Sequence, residues 1–244
     1  MPDTVKSDTV RIHFVRHAET LFNVNGQLQG WCDSPLTERG EHQAAALGER
    51  LRHTPIAAAF MSDLTRTRTT MAAALAGHPT VQAQPMQELR EWHFGSWEGQ
   101  PNAALWTPVF AELGYTYRPA SADWSAMTAT GFDAIIDTIH RHDPLKRAET
   151  GEQVRTRLAT GLAVVLDAAR EAASAGTGDV LVVTHGAVIG SMLRHLAPHH
   201  RSTAGYPNCG IATVTVTNDV VTVGETDGSC ALAGELATSS TRSV

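Results

Sequence analysis

Apolar and polar positions follow two rhythms along this chain. Val10 to Val15 is a β-rich run that stops at Arg16-His17, and Ile56 to Met61 reads as a second short strand. From Asp179 to Thr184 a continuous apolar run has the look of a strand covered on both faces. Helical spacing fills the intervals. One pattern opens at Leu36-Thr37-Glu38, with Thr37 as N-cap, acids in the first turn, and Ala44, Leu47 and Leu51 on one face. A second, capped by Asp63 or Ser62, carries Leu64, Met71 and Leu75. The longest repeats Val154, Leu158, Leu162, Val165, Leu166 and Ala169 and ends near Gly176, and another runs from about Val188 to Leu196. Residues 211–217 and 220–225 read as a hairpin around Asn218-Asp219. The stretch 100–149 mixes helical pieces with prolines and the aromatics Trp106, Phe110, Tyr115, Tyr117 and Trp124. Residues 1–9 read as polar and loose, and 234–244 as a disordered tail.

Strands alternating with helices imply the α/β class: a layered α/β/α sandwich with a mostly parallel central sheet and antiparallel strands at an edge. The 244 residues suit one domain over 1–233, with 100–149 as a helical insertion or cap that shapes a pocket. Ligands of such sheets bind outside the carboxyl ends of strands. Arg16-His17 and Thr184-His185-Gly186 fall at two such ends and are expected to share one cleft.

Composition narrows the function classes. Twenty-five acidic against 19 basic residues give a net charge of −6, which disfavours a nucleic-acid-binding surface. Only Lys6 and Lys146 are lysines; the remaining cations are arginines, whose forked donors suit phosphate or carboxylate. Cys32, Cys209 and Cys230 form neither a disulfide framework nor a CxxC pair. No run of about 18 apolar residues and no apolar leader is present, so a cytoplasmic protein without membrane contact is expected. Neither a GxxxxGK loop nor a GxSxG elbow occurs. His140-Arg141-His142-Asp143 and His195, His199 and His200 bring ligand-type side chains together without an HExxH pattern, so no metal site is expected.

An Arg-His pair at a strand end is, by itself, more often a solvent-facing loop than a nucleophile beside its substrate clamp. Its surroundings change that weighting. Asn23, Gly30-Trp31 and Asp33-Ser34-Pro35-Leu36-Thr37-Glu38-Arg39-Gly40 follow Arg16-His17-Ala18-Glu19-Thr20. Then come Ser62-Asp63-Leu64-Thr65-Arg66-Thr67-Arg68-Thr69-Thr70, Leu89-Arg90-Glu91-Trp92-His93-Phe94-Gly95-Ser96-Trp97-Glu98-Gly99, and Val183-Thr184-His185-Gly186. With these motifs in this order, from residue 11 to about 196, the chain resembles the histidine phosphatase superfamily, the phosphoglycerate mutase-like proteins.

The resemblance implies a phosphoglycerate mutase-like sandwich and a set of roles. His17 is the nucleophile, forming a phosphohistidine that splits one displacement into two easier ones. Arg16, Arg66 and a protonated His185 supply compensating charge in place of a metal ion, with Asn23, Thr20 and Gly186 completing the phosphate-binding set. Thr20 is equally readable as a helix cap. Arg68 is the rival of Arg66, but it lies about 200° around the helix from it. Glu91 is the acid that protonates the leaving oxygen and then the base that activates water; Glu88 and Glu98 are nearby alternatives for that acid, for each of which a solvated or structural role is favoured.

Hydrolases and mutases share this machinery. The resemblance places an arginine after the acid in the cofactor-dependent mutases, where this chain has Trp92, and Arg118 is the only arginine from 91 through 140. Losing such cations weakens the grip on a bisphosphorylated cofactor at about 1.5–3 kcal/mol per charged hydrogen bond. The expectation is therefore a phosphomonoester hydrolase for a small phosphorylated metabolite, with no cofactor. A phosphoglycerate mutase and an inactive phospho-ligand-binding protein of the same fold are the alternatives.

Overall fold

β1 (Thr9–Arg16) and β4 (Asp179–Thr184) pair in parallel at the middle of a six-stranded sheet. β2 (Ile56–Ser62) and β3 (Ala83–Met86) extend it beyond β4, also in parallel. On the other side β5 (Ile211–Thr217) and β6 (Val220–Asp227) add an antiparallel hairpin, giving the order β3-β2-β4-β1-β5-β6. The computed structural model describes residues 9–119, 122–129, 131–198, 205–218 and 220–227. The expectations for residues 1–8 and for the tail 234–244 lie outside these.

Alternation along the strands builds two buried layers. Ile12, Phe14, Phe60, Val180 and Val182 join one cluster with Leu158, Leu162 and Val165 of α7 (Gly151–Ala175) and Val188 and Ile189 of α8 (Gly186–Leu196). Val15, Ala59, Met61, Leu181 and Val183 join another with Ala44, Leu47 and Leu51 of α2 (Glu38–Leu51) and Met71 of α3 (Thr65–Ala74). Burying each such aliphatic side chain stabilises the fold by roughly 1.5–3 kcal/mol. The chain moves outward from β1 to β3 with α2 and α3 on one face, then returns to β4 with α7 on the other, as right-handed crossovers require. The layered α/β/α class is thus the observed architecture.

Capping fixes the helix ends that frame the cleft. Thr37 caps α2 by accepting from the N–H of Gly40 at 2.9 Å. Thr150 and Gln153 form a reciprocal capping box on α7, which stops at Gly176 in the left-handed conformation, φ 65°. The start of α3 departs from the sequence expectation. Neither Ser62 nor Asp63 caps it: the N-cap is Leu64, and the carboxylate of Asp33 accepts from the N–H of Thr65. Asp63 instead holds Arg90 through two bonds of 2.6 Å.

Two short elements are not among the strands and helices that the pattern predicts. β3 contains Pro85, which an edge strand tolerates because one side of it needs no ladder donor. α1 (Leu21–Val24) is a single turn. The stretch 100–149 resolves into α4 (Asn102–Glu112), α5 (Ala122–Ala129) and α6 (Phe132–His142). The histidine cluster there is used internally: His140 donates to the carbonyl of Ala148 and His142 meets Glu112.

Asp143 ends that segment fully buried. Burial alone would raise its carboxyl, but Ser96 and the N–H groups of Ala148, Leu145 and Arg147 outweigh it and hold the pKa at about 2. A depressed carboxyl contributes stability that is full above its unfolded pKa of about 4 and is lost as pH falls toward 2. Asp143→Asn is expected to lower the thermal midpoint by roughly 4–8 °C at neutral pH. Melts at decreasing pH should show that gap closing below about pH 4; a gap unchanged down to about pH 2 would contradict this role.

Candidate active site

β1 and β4 run out in register. Arg16 lies opposite Thr184, so His17 and His185 step off adjacent strands together. The N–H of His17 donates to the carbonyl of Thr184 at 2.9 Å, and the two imidazoles meet edge-on with centroids 5.3 Å apart. Beyond this point the chain leaves β1 toward the α2 layer and β4 toward the α8 layer. That divergence opens a crevice at the strand ends.

The hydrogen bonds assign the protons on both rings. His17 Nδ1 lies 2.8 Å from the carbonyl of Ala18, which can only accept, so Nδ1 carries the hydrogen and Nε2 keeps its lone pair. Burial, and then the charges of Arg66 and Arg16, push this imidazole well below the ordinary histidine range. His17 is therefore neutral at neutral pH, with the Nε2 lone pair available. His185 Nδ1 lies 3.1 Å from Nη2 of Arg66, which can only donate, so this ring carries its proton on Nε2. Burial and the Arg66 charge lower its pKa well below the ordinary range too. The sequence expectation is a protonated His185; burial and the adjacent guanidinium disfavour that form, and the ring stands here as a neutral Nε2–H donor.

Arg66 is 1% exposed and donates to the carbonyls of Cys32, Gln29 and Gly30, to the Asp33 carboxylate and to His185. Its Nε alone is left without a partner. A broad fork aimed at phosphate is thus not what the fold presents; most of this guanidinium organises the loop 29–33. The N-terminus of α3, which Asp33 occupies, is likewise not free for an anion. Arg16 donates through Nη1 to the carbonyl of Tyr206 at 2.8 Å, and its buried Nε has no protein partner. His185 Nε2 is also buried and unpaired. Arg68 is exposed and bonds the carbonyl of Asp63.

Glu91 is 8% exposed, with Oε1 accepting from the N–H of Trp92 and Oε2 from the N–H of Ala187, at 3.0 and 3.1 Å. Burial raises its pKa against the pull of those two donors and of Arg66 and Arg16. A raised carboxyl beside a neutral imidazole is the pairing that general acid catalysis near neutral pH needs. Asn23 accepts through Oδ1 from the N–H of Thr20 and from Asn208, which leaves its NH₂ end for a ligand. Gly186 lies beside the Arg16 side chain and lines the same cavity. Thr20 does not reach the cavity. Its hydroxyl accepts from the Asn23 N–H and donates to Gln29, so it serves as the cap of α1.

Glu98, read from the sequence as solvated or structural, is structural, and Asn208 and Arg157 join it as positioning residues the sequence does not single out. Glu98 gathers the N–H groups of Gly30, Trp31, Cys32 and Phe94 at 2.9–3.1 Å. The loop 29–33 is thereby held by a carboxylate on its N–H side and by Arg66 on its carbonyl side. A Cβ at Gly30 would stand 2.2 Å from the Trp92 carbonyl oxygen, so only glycine allows this approach. Asn208 donates to the carbonyl of His17 at 2.9 Å. Arg157 of α7 donates to the carbonyls of Glu88, Arg90 and Glu91 and pairs with Glu149 at 2.7 Å. Its signal was an arginine three residues after Val154, at the edge of the apolar stripe.

Arg157→Lys keeps the charge and loses the fork. It is expected to cut kcat for alkyl phosphates about 10-fold while KM and the rate on an activated aryl phosphate change little, because Glu91 is displaced. Equal losses on both substrates would make Arg157 merely structural.

The cavity at this end of the sheet measures about 1230 Å³ and is lined by Arg16, His17, Asn23 and Glu91; Arg66 and His185 are buried next to His17 and Arg16 but are not among its lining residues. Among the described residues no helix is long and apolar enough to cross a membrane, and no cluster of three metal-ligating side chains occurs.

The family model described as "Histidine phosphatase superfamily (branch 1)" matches residues 12–108 and 112–226. The adenosylcobalamin/alpha-ribazole phosphatase of Salmonella typhimurium is 36% identical over 135 residues, 54% of this chain. That match spans 64% of the Salmonella protein, a little under two thirds. A probable phosphoglycerate mutase GpmB of Yersinia pestis is 30% identical over 209 residues, 84% of each chain. The crystal structure of phosphoglycerate mutase from Bacillus anthracis str. Sterne superposes with a TM-score of 0.78 at 29% identity, covering 90% of this chain and 93% of that one.

Proposed function

The chain belongs to the histidine phosphatase superfamily, and from that membership we propose that it hydrolyses the monoester of a small phosphorylated metabolite through a phosphohistidine on His17. The observation that carries this reading is a set of three buried donors without protein partners, Nε of Arg16, Nε of Arg66 and Nε2 of His185, in the residues around a neutral His17. An unpaired buried donor is costly, and we infer that a tetrahedral anion held beside His17 takes up these bonds. The lone pair of His17 Nε2 attacks phosphorus as the ester P–O bond breaks. The leaving oxygen takes the proton of Glu91. A water then gives a proton to the Glu91 carboxylate and attacks phosphorus, the P–N bond electrons return to His17, and inorganic phosphate departs.

The names of the relatives divide between phosphatase and mutase. The cavity favours hydrolysis, because Trp92 follows the acid and Arg16 and Arg194 are the only lysine or arginine side chains lining it among the described residues. A second acidic group of a bisphosphorylated cofactor has little to hold it. Phosphate release and 3-phosphoglycerate isomerisation, assayed side by side with and without bisphosphoglycerate, test the choice. Release should dominate; isomerisation that depends on bisphosphoglycerate and outruns release would make the chain a mutase. Activity is expected to persist in excess chelator, since arginines carry the compensating charge, and a strict metal requirement would contradict this. A cytoplasmic setting and no nucleic-acid partner belong to the same reading, the latter supported by the net charge of −6.

A further inference from the structure

Beyond the phosphate end the cavity wall is aromatic. Trp92, Phe94, Trp106, Trp124 and Phe132 line it. The rings brace one another edge-to-face, Trp106 on Trp124 at 4.8 Å, Trp92 on Phe132 at 5.5 Å and Phe94 on Trp106 at 6.1 Å. They come from the segment after Glu91 and from α4, α5 and α6, so the 100–149 stretch supplies much of the wall. The charged side chains of the described lining, apart from those at the phosphate end, are Glu19 and Arg194. Glu19 is bonded to Thr37 and Arg39, and Arg194 donates to the carbonyls of Thr128 and Ala129 with its guanidinium 5.5 Å from the Phe132 ring. Gln27 and Gln29 commit their amide NH₂ groups to Gly99 and Ser34. Neutral polar side chains, Asn102 and Tyr117 among them, also line the cavity and offer hydrogen bonds to an oxygen of the guest without adding charge.

We propose that this site selects phosphomonoesters whose alcohol carries a broad aromatic or equally apolar body and no second acidic group. The proposal rests on the phosphatase reading of the same site. A cavity of about 1230 Å³ admits a fused ring system, and braced rings are a preformed surface that costs little ordering on binding. A second phosphate or carboxylate would enter an apolar wall whose nearby charges are already engaged.

The test compares two alkyl esters of similar leaving-group acidity, 1-naphthylmethyl phosphate and glycerol 1-phosphate, so that binding rather than bond strength decides. Burial of the ring system is expected to favour the naphthylmethyl ester about 100-fold in kcat/KM. Trp124→Ala should bring that ratio down at least about 10-fold. Phe132→Leu, which keeps the wall apolar and filled, should lower it less, and serves if loss of Trp124 unfolds the insertion. Equal rates on both esters, or a preference undiminished in both variants, would overturn the selectivity while leaving the phosphatase reading intact. No phosphate release from either ester, together with isomerisation of 3-phosphoglycerate, would overturn the phosphatase reading and this proposal with it.

Discussion

His17→Ala is expected to abolish release of phosphate from any monoester, with a loss of at least about 10⁴-fold in kcat. The size follows from covalent catalysis. Without Nε2 there is no P–N bond, and water would have to attack the ester directly from a site built to hold an imidazole. The unpaired donors of Arg16, Arg66 and His185 remain in the variant, so binding of inorganic phosphate should survive. Phosphate affinity measured by calorimetry, alongside steady-state rates, separates the two contributions. Wild-type protein that binds phosphate and releases none from any ester would be an inactive binding protein of the same fold. A variant that retains more than about one per cent of the rate would place the nucleophile elsewhere.

Glu91→Gln should slow alkyl phosphates by about 10²–10⁴-fold and a nitrophenyl phosphate by less than about 10-fold. An alkoxide leaves poorly without a proton, whereas nitrophenolate needs none. The same substitution should erase the alkaline limb of the pH profile. The working acid is the protonated form of a carboxyl whose pKa burial raises, so activity falls as pH rises through that value. The acidic limb has a different origin. His17 must be neutral, and its pKa lies well below the usual range, so protonation of the nucleophile sets in only in clearly acidic solution. Stopped assays on both esters across pH, for wild type and variant, check both limbs. Parallel losses on the two esters would remove Glu91 from the acid's role.

The parts of this molecule that periodicity and family pattern reach are those where each residue's neighbours are close in sequence. β1, α2, α7, β4 and the hairpin of β5 and β6 all follow from alternation, helical spacing and local turn residues. β3 does not, because a four-residue edge strand with a proline has neither the length nor the composition of a strand. The pairing of His17 with His185 is legible because both stand at strand ends, where the fold class itself directs ligands.

What local sequence does not carry is long-range and polar. Nothing near Asp33 in the sequence says that it caps α3, and nothing near Glu98 says that it collects four N–H groups. The protonation state of His185 is out of the sequence's reach for the same reason. Its tautomer is set by Arg66, 119 positions away, and by burial that only the folded chain creates. Most donors of the Arg66 guanidinium beside that imidazole hold the loop 29–33, which its place in the sequence does not reveal either.

Rapid-quench mixing of enzyme with a radiolabelled phosphomonoester tests most directly whether phosphorus passes through His17. A burst of acid-labile, alkali-stable label is expected, approaching one phosphoryl group per chain. Peptide mapping should place it on His17 and NMR should place it on Nε2, with Glu91→Gln slowing its discharge to water. Label that never becomes covalent under quench, or that maps to another residue while turnover proceeds, would contradict the phosphohistidine route.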